Sequence, residues 1–572
     1  MSSKGTLAGA LFFSLKKRPA QFALGGLIVL VSLLYAPFLS NPLFFDDRGL
    51  FSGSRFAELA TTPIGWGLRY PSYFTIAAVQ VLFGSVEAQR LLNAALHGAT
   101  ALALFFAIRS LQRLWSPVGE NEPRNFAGAA LGAALFAAHP VAVYAVGYMV
   151  QRSIVLATLF SLLSLAVFVS GSATCRVVRA AAAGLLYALA VLCKEHALLA
   201  AAVAPLALWS RGVHVQSKYR YIGVYWAVCA PAAVLVVLFA KGLVGQNYEP
   251  DFAEIAAQIS PSEAGWVGAP WLGSALAQAA LFFRYIGLWL WPHTGAMALD
   301  LRVDFAGLWD PSIIAASLLA FVAWAVAAVF LLVHRGGAYA MVGVGMLWFR
   351  VLYLVEFSTV RFQEPFVLYR SYLWAPGLAL AVAALLARAA VRTAAIAGAG
   401  ALLLLFVQAH DRLQNFSSTL TIWQDAAAKL PAKPVPGAPR TLYQLGREYV
   451  NAGEPEQAAA VIERCLREYP AAFQCVFARA AIHLRLGEYA SAIPYLRRAI
   501  AMRPEDGLAV HHLGLAFQLL GCRERARAEY QAAYQLGFLG AMHRIKALDS
   551  PGDGLLPPAD GVVPTKAFDC AS

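Results

Sequence analysis

Two adjacent carboxylates, Asp46 and Asp47, stand in the segment Asn41 to Arg48 (NPLFFDDR), directly after the first long apolar run of the chain. An acid held where a membrane meets water can take a proton from a hydroxyl or help bind a divalent metal, which makes this pair the leading catalytic candidate. A doublet that ends a span also reads as a solvated cap, and what separates the two readings is the company the pair keeps. Asn93 and His97 lie four apart in an apolar run, on one helix face. His139 precedes Pro140; Tyr148, Gln151 and Arg152 open another apolar run; Lys194 and Glu195 interrupt a third; Arg284, Arg361, Arg370 and Tyr372 follow. Ionisable groups at such depth are costly unless they find a partner or face a water-filled cavity, so each is a functional candidate. The plain alternatives are that His139 caps a helix and that Asn93 and His97 join neighbouring helices.

These residues depend on helices in lipid. With 59% hydrophobic and 13% charged residues over 572 positions, the chain has too much apolar surface for a water-soluble globule and reads as a polytopic membrane protein. Its net charge of +13 is spread over short loops, as in cytoplasmic connections, and forms no long basic run of the kind that binds nucleic acid. Apolar runs long enough to cross about 30 Å of hydrocarbon are expected near 21–39, 88–108, 126–138, 153–170, 180–193, 196–210, 221–241, 312–334, 339–356, 371–388 and 393–410. Placing the basic loops inside puts Asp46, His139, Glu249 and Arg361 on external loops, and gathers Asp46, His139, Arg152, Lys194, Glu195, Arg361 and Arg370 at one external boundary. The run Trp271 to Trp291 would break this orientation if it crossed. It is expected to be re-entrant or interfacial, with Arg284 facing a polar cavity. The first apolar run lacks a cleavage site and is expected to stay as an anchor.

From Thr441 the chain changes character. Leu445-Gly446, Gly453, Ala458 and Pro470, then Leu486-Gly487, Ala490 and Pro504, then Leu513-Gly514, Gly521 and Ala526 recur with a period of about 34 residues. Small side chains are needed where paired helices cross closely, and this period is that of tetratricopeptide repeats; three units suffice for a stable stack. The expected organisation is a membrane domain over 1–410, a linker over 411–440 with a Pro-rich stretch (KLPAKPVPGAPR), repeats over 441–538, and a helix and tail over 539–572. Span parity puts the repeats outside, in a compartment where Cys465 and Cys475 could pair; Cys465, Cys475, Cys522 and Cys570 equally read as buried thiols. No Cys/His spacing implies zinc.

The motifs FFDDRGLF, EAQRLLNAALH, AAHPVAVYAVGYMVQRSIVLATLFSLLSL, LCKEHALLA, FFRYIGLWLWP and YRSYLWAPG, in this order ahead of the repeats, resemble the transmembrane-and-tetratricopeptide O-mannosyltransferase family and its bacterial relatives. That resemblance covers most of the chain. It implies an all-α glycosyltransferase of the C superfamily that uses a polyprenyl-phosphate sugar at the outer face, here the periplasmic side of a bacterial inner membrane. It also implies a protein acceptor, such as a type IV pilin. The chain departs from the pattern at Tyr144, at Leu368-Tyr369 and at Arg69-Tyr70-Pro71, which bears on donor and acceptor identity rather than on reaction class.

In such a reaction an acceptor hydroxyl displaces a lipid phosphate from the anomeric carbon, which requires a base and a set of cations. By the resemblance the first-loop acid is catalytic, and either Asp46 or Asp47 would serve as base or as ligand to magnesium or manganese. Arg152, Lys194 and Arg370 form the expected phosphate cradle, with Arg284 a fourth member. Tyr148, Gln151, Tyr372, His97, His139 and Arg361 are supporting candidates. Glu195 is expected to orient an arginine or His139, because adjacent residues on a helix cannot pair across one face. Three motifs are absent from the sequence: a Gly-rich phosphate loop, a Gly-x-Ser-x-Gly elbow and a His-Glu-x-x-His helix. The alternatives from other classes are a membrane-anchored repeat protein that assembles an envelope complex, a flippase, and a transferase acting on a lipid or glycan.

Overall fold

The computed structural model describes residues 19–52, 68–115, 121–170, 176–210, 218–240 and 264–549, with isolated positions between them and Cys570. It is all-helical, and the described residues hold no β-strand beyond a single bridge between Leu301 and Phe366. The chain divides into two compact units, one of Met1–Pro250, Pro261–Leu301 and Phe305–Ser418, the other of Asp251–Ser260, Arg302–Asp304 and Thr419–Ser572.

In the first unit the main helices are α1 Pro19–Tyr35, α2 Asp46–Ser52, α3 Tyr70–Phe83, α4 Val86–Trp115, α5 Glu122–Ala137, α6 Arg152–Val169, α7 Arg176–Cys193, α8 Lys218–Phe239, α9 Pro270–Leu290, α10 Pro311–Phe330, α11 Gly337–Tyr353, α12 Pro376–Leu386 and α13 Val391–Asn415. Among the described residues, eight segments are long and apolar enough to cross a membrane. The expected span 126–138 is the first limb of a ninth: α5 and the helical segment Pro140–Val146 meet at 48°, broken at His139-Pro140, where proline supplies no N–H. The expected spans 196–210 and 371–388 are shorter apolar helices, Glu195–Trp209 and Pro376–Leu386.

Helices of this unit approach closely where side chains are small. Gly345 of α11 and Gly377 of α12 face each other so tightly that a Cβ on either would strike the other's carbonyl oxygen. The run Trp271 to Trp291 forms the single unbroken helix α9, and not the two limbs of a hairpin. The indole of Trp271 donates to the Phe357 carbonyl, Gln278 to the Pro365 carbonyl, and Trp289 to Ser371 Oγ. Helix α9 therefore runs beside the connection 357–371 from end to end.

The second unit contains α14 Thr419–Ala428, then three antiparallel pairs: α15 Ala438–Asn451 with α16 Pro455–Glu468, α17 Phe473–Arg485 with α18 Tyr489–Met502, and α19 Gly507–Leu519 with α20 Arg523–Gln535. Helix α21, Gly540–Asp549, closes the stack. Gly453, Gly487 and Gly521 have φ of 80°, 76° and 83° at the turn within each pair, a left-handed conformation that disfavours any side chain. The Pro-rich stretch expected as a linker packs on the repeats. Val435 is buried with Leu442, Cys465 and Tyr469, and its N–H and C=O both bond the Tyr469 hydroxyl, at 2.7 and 3.0 Å. Disulfides join Cys465 to Cys475 and Cys522 to Cys570, while Cys193 and Cys229 of the first unit are free and buried.

Candidate active site

The site is built from the first loop. Arg90 of α4 donates to the carbonyls of Asn41 (2.9 Å), Pro42 (2.5 Å) and Gly147 (2.8 Å), pinning the loop to the turn that precedes α6. Asp47 is fully buried there, and its two oxygens accept from the N–H groups of Met149 (3.2 Å) and Val150 (2.8 Å). Burial pushes the Asp47 carboxyl up to about 7, against those two N–H bonds and the Arg90 charge. Asp46 differs from its neighbour. It is exposed to the cavity described below, and only its Oδ2 is engaged, accepting from the Tyr148 hydroxyl at 2.7 Å. The backbone is strained where this pair is presented: Phe45 has φ of 55° and Arg69, across the site, 64°. A left-handed bulky residue persists only when its surroundings force it, and such strain concentrates at functional sites.

Asp46 opens onto a cavity of about 670 Å³, which Gln151, Lys194, Glu195, Arg361 and Arg370 of the expected set also line. Arg69, His196, Glu364 and Tyr369 join them, and Leu50, Ala240, Val244 and Val355 give it an apolar side. Its charges form a chain. Arg69 holds Glu195 in a fork, with Nε at 3.0 Å from Oε2 and a second, shorter bond from Nη2 to Oε1. Glu195 Oε1 lies 3.3 Å from His196 Nδ1, and His196 Nε2 lies 3.5 Å from Glu356. Glu356, 1% exposed, reaches Arg370 at 3.1 Å, and Arg370 reaches Glu364 at 3.2 Å. Burial opposes the Glu195 charge, yet Lys194, His196 and Arg69 together hold its carboxyl well below the usual range.

Lys194 stands apart from this chain. It is 5% exposed, and among the described residues its ammonium meets no hydrogen-bond acceptor. Burial first, then the charge of Arg69, lowers it to about 7. A buried ammonium beside Arg69, Arg361 and Arg370 concentrates positive charge on one part of the cavity, at a desolvation cost that an anion would offset.

Five of the expected site residues, Arg152, Arg284, His139, His97 and Tyr372, lie elsewhere. Arg152 does not line the cavity: its guanidinium is committed to Asn93 Oδ1 (2.6 Å) and to the Gln89 side chain (2.7 Å) and carbonyl (2.9 Å), behind Asp47. Arg284 stacks over the Phe366 ring at 4.7 Å instead of facing the polar cavity, because Phe282 and Tyr285 take the buried face of α9. His139 lies on Trp289, ring centroids 4.1 Å apart, and lines a separate apolar cavity, so the partners of Glu195 are Arg69 and His196. His97 bonds the Tyr372 hydroxyl (2.7 Å) and the Ala137 carbonyl (2.9 Å), a junction between helices. Glu249 lies outside the described residues.

Sequence reasoning passed over Arg69, Arg90, His196 and Glu356. Arg90 carried a usable signal, since it lies on the same face as Asn93 and His97 at i, i+3 and i+7. Asp46 and Asp47 do not by themselves fit a metal ion: both Asp47 oxygens are spent on backbone N–H groups, and no group of three His, Cys, Asp or Glu side chains converges among the described residues.

Residues 443–507 and 477–537 match the tetratricopeptide repeat model. No curated protein matches the chain. Among solved structures it is similar to the Archaeoglobus fulgidus oligosaccharyltransferase, solved with a tethered acceptor peptide containing the NVT sequon, at 14% identity and a TM-score of 0.42 over 74% of this chain and 60% of that one. It is also similar to an arabinofuranosyltransferase from Mycobacteria, at 17% identity and a TM-score of 0.33 over 76% of this chain and 29% of that one. The chain thus spans less than two thirds of either protein, and both scores are too low to carry their chemistry across.

Proposed function

We propose that this chain is a membrane glycosyltransferase that moves a sugar from a polyprenyl phosphate to a hydroxyl of a protein, such as a pilin subunit, at the periplasmic face. The observation that carries this reading is the cavity, where an exposed carboxylate faces a buried, unpartnered ammonium flanked by Arg361 and Arg370. Asp46 takes the proton of the acceptor hydroxyl through Oδ1 while Tyr148 holds Oδ2. The acceptor oxygen bonds to the anomeric carbon as the bond from that carbon to the phosphate oxygen breaks, and the electron pair leaves on the prenyl phosphate. Lys194, Arg361 and Arg370 stabilise that charge as it develops. The apolar side of the cavity suits the first isoprene unit of the donor, whose remaining chain stays in lipid.

The repeats supply a surface for a protein partner. Their paired cysteines are consistent with an oxidising compartment, whereas the free cysteines belong to the membrane unit. The test is intact-mass analysis of envelope and pilus proteins from cells carrying the parent chain, the Asp46→Asn variant or no copy. A sugar-sized increment present only with the parent supports the reading; identical masses in all three remove it, and leave a non-catalytic assembly role.

A further inference from the structure

Resting on that reading of the phosphate end, we infer that Gln151 and Thr359 form a sugar subsite that reads the hydroxyls of an uncharged pyranose on the donor. Gln151 is 4% exposed and Thr359 8%, and both line the same cavity as Lys194. The Gln151 Oε1 and the Thr359 Oγ1 are buried with no hydrogen-bond partner. Native proteins leave few such atoms, because a buried acceptor without a donor loses the full cost of its desolvation. Two of them on residues that line one cavity call for a ligand that brings its own donors.

Their positions say which part of the ligand this is. Gln151 follows Val150, whose N–H holds Asp47, so it belongs to the wall that presents the base. Thr359 lies two residues before Arg361, on the wall that presents the cations. A group touched by both lies between the proton acceptor and the phosphate, which is where the transferred sugar must be. Three carboxylates, Asp46, Glu195 and Glu364, line the same space. Arg69 and Arg370 neutralise Glu195 and Glu364, whereas Asp46 keeps Oδ1 open on the side of the base. There it accepts a hydrogen bond from a hydroxyl and repels a carboxylate, so the subsite selects neutral hexoses against uronic acids.

The test measures binding to the full-length protein in detergent with four probes of equal phosphate charge: methyl farnesyl phosphate and farnesyl-phosphoryl glucose, mannose and glucuronic acid. At least one neutral hexose is expected to bind tenfold or more tightly than the methyl ester, and glucuronic acid no more tightly than it. In Gln151→Leu that tenfold advantage should fall below threefold while the methyl ester binds as before. Thr359→Val should remove a smaller part, and it carries the test if Gln151→Leu loses the methyl ester as well. A hexose advantage that survives both substitutions, or a preference for glucuronic acid, overturns the subsite. Failure of the methyl ester to bind the parent chain, or binding indifferent to Lys194→Met, instead defeats the phosphate reading beneath it.

Discussion

The cavity wall and the repeat stack differ in which residues carry positive φ and in how charge is buried. In the repeats, positive φ falls on Gly453, Gly487 and Gly521, where it costs little, and cysteines are tied in pairs. Around the cavity, positive φ falls on Phe45 and Arg69, an ammonium is buried without an acceptor, and two side-chain oxygens have no donor. The repeats also hold two buried atoms without a partner, Gln444 Oε1 and His511 Nδ1, so the contrast lies in the backbone and the buried charge: among the described residues, positive φ on a residue other than glycine occurs in the first unit alone. Sequences tolerate such conflicts where a ligand or a reaction resolves them, which makes the cavity wall the place to test for chemistry.

The sharpest way to break that contrast is to separate the two acids. Asp46→Asn should lower transfer about 10²–10⁴-fold, the range for removing a general base, with thermal stability unchanged. Asp47→Asn should keep transfer within about tenfold. Its carboxyl is pushed up to about 7 and works by accepting backbone N–H groups, which an amide oxygen still does in part. A reversed order of the two rates would make Asp47 the base and Asp46 its exposed neighbour.

On the repeat side, replacing Cys465 and Cys475 by alanine should cost about 2–3 kcal/mol, the entropy of closing a loop of roughly ten residues. Hydrogen exchange should then rise in α16 and α17 and leave the cavity unit as it was. Exchange that rises equally in both units would mean that the repeat unit does not respond on its own.

A smaller effect separates Lys194 from its arginine neighbours. Its ammonium is lowered to about 7, so the charged form that binds phosphate is lost as pH rises through that value. Affinity for a farnesyl-phosphoryl sugar, whose diester keeps one charge throughout, should fall above pH 7 by at most about tenfold per unit, the limit for one proton. Lys194→Met should flatten that slope. A slope that persists in the variant would assign the titration to another group.

Much of this architecture was legible in the residues. Apolar runs gave the spans, because hydrocarbon demands them, and the 34-residue period gave the repeats. The cavity was legible only in part. The doublet, Lys194, Glu195, Gln151, Arg361 and Arg370 were recognisable as polar groups at one boundary, but boundary position does not say where a guanidinium points. Arg152 and Arg284 satisfied the same criterion and turned to Asn93 and Phe366. Arg69 was missed because it lies just before a helix rather than inside one, and Glu356 because it lies where an expected span ends. The packing of α9 along 357–371 depends on contacts between distant segments, which periodicity does not encode.

The strain at Phe45 allows the finest test of the contrast. Deleting its ring removes the edge contact with Tyr148, whose ring centroid lies 6.0 Å away, so a single substitution would mix lost packing with relieved strain. Comparing Phe45→Ala with Phe45→Gly separates them, since both lose the ring and only alanine keeps a Cβ in the left-handed region. Glycine should be the more stable of the two by about 1 kcal/mol, the cost of that conformation for an L-residue. At Gly487 of the repeats the same physics runs in reverse, and Gly487→Ala should lose about 1 kcal/mol. If alanine and glycine were equally stable at position 45, the loop would have relaxed out of its left-handed turn. The acid pair would then owe its placement to Arg90 and the Asp47 hydrogen bonds alone.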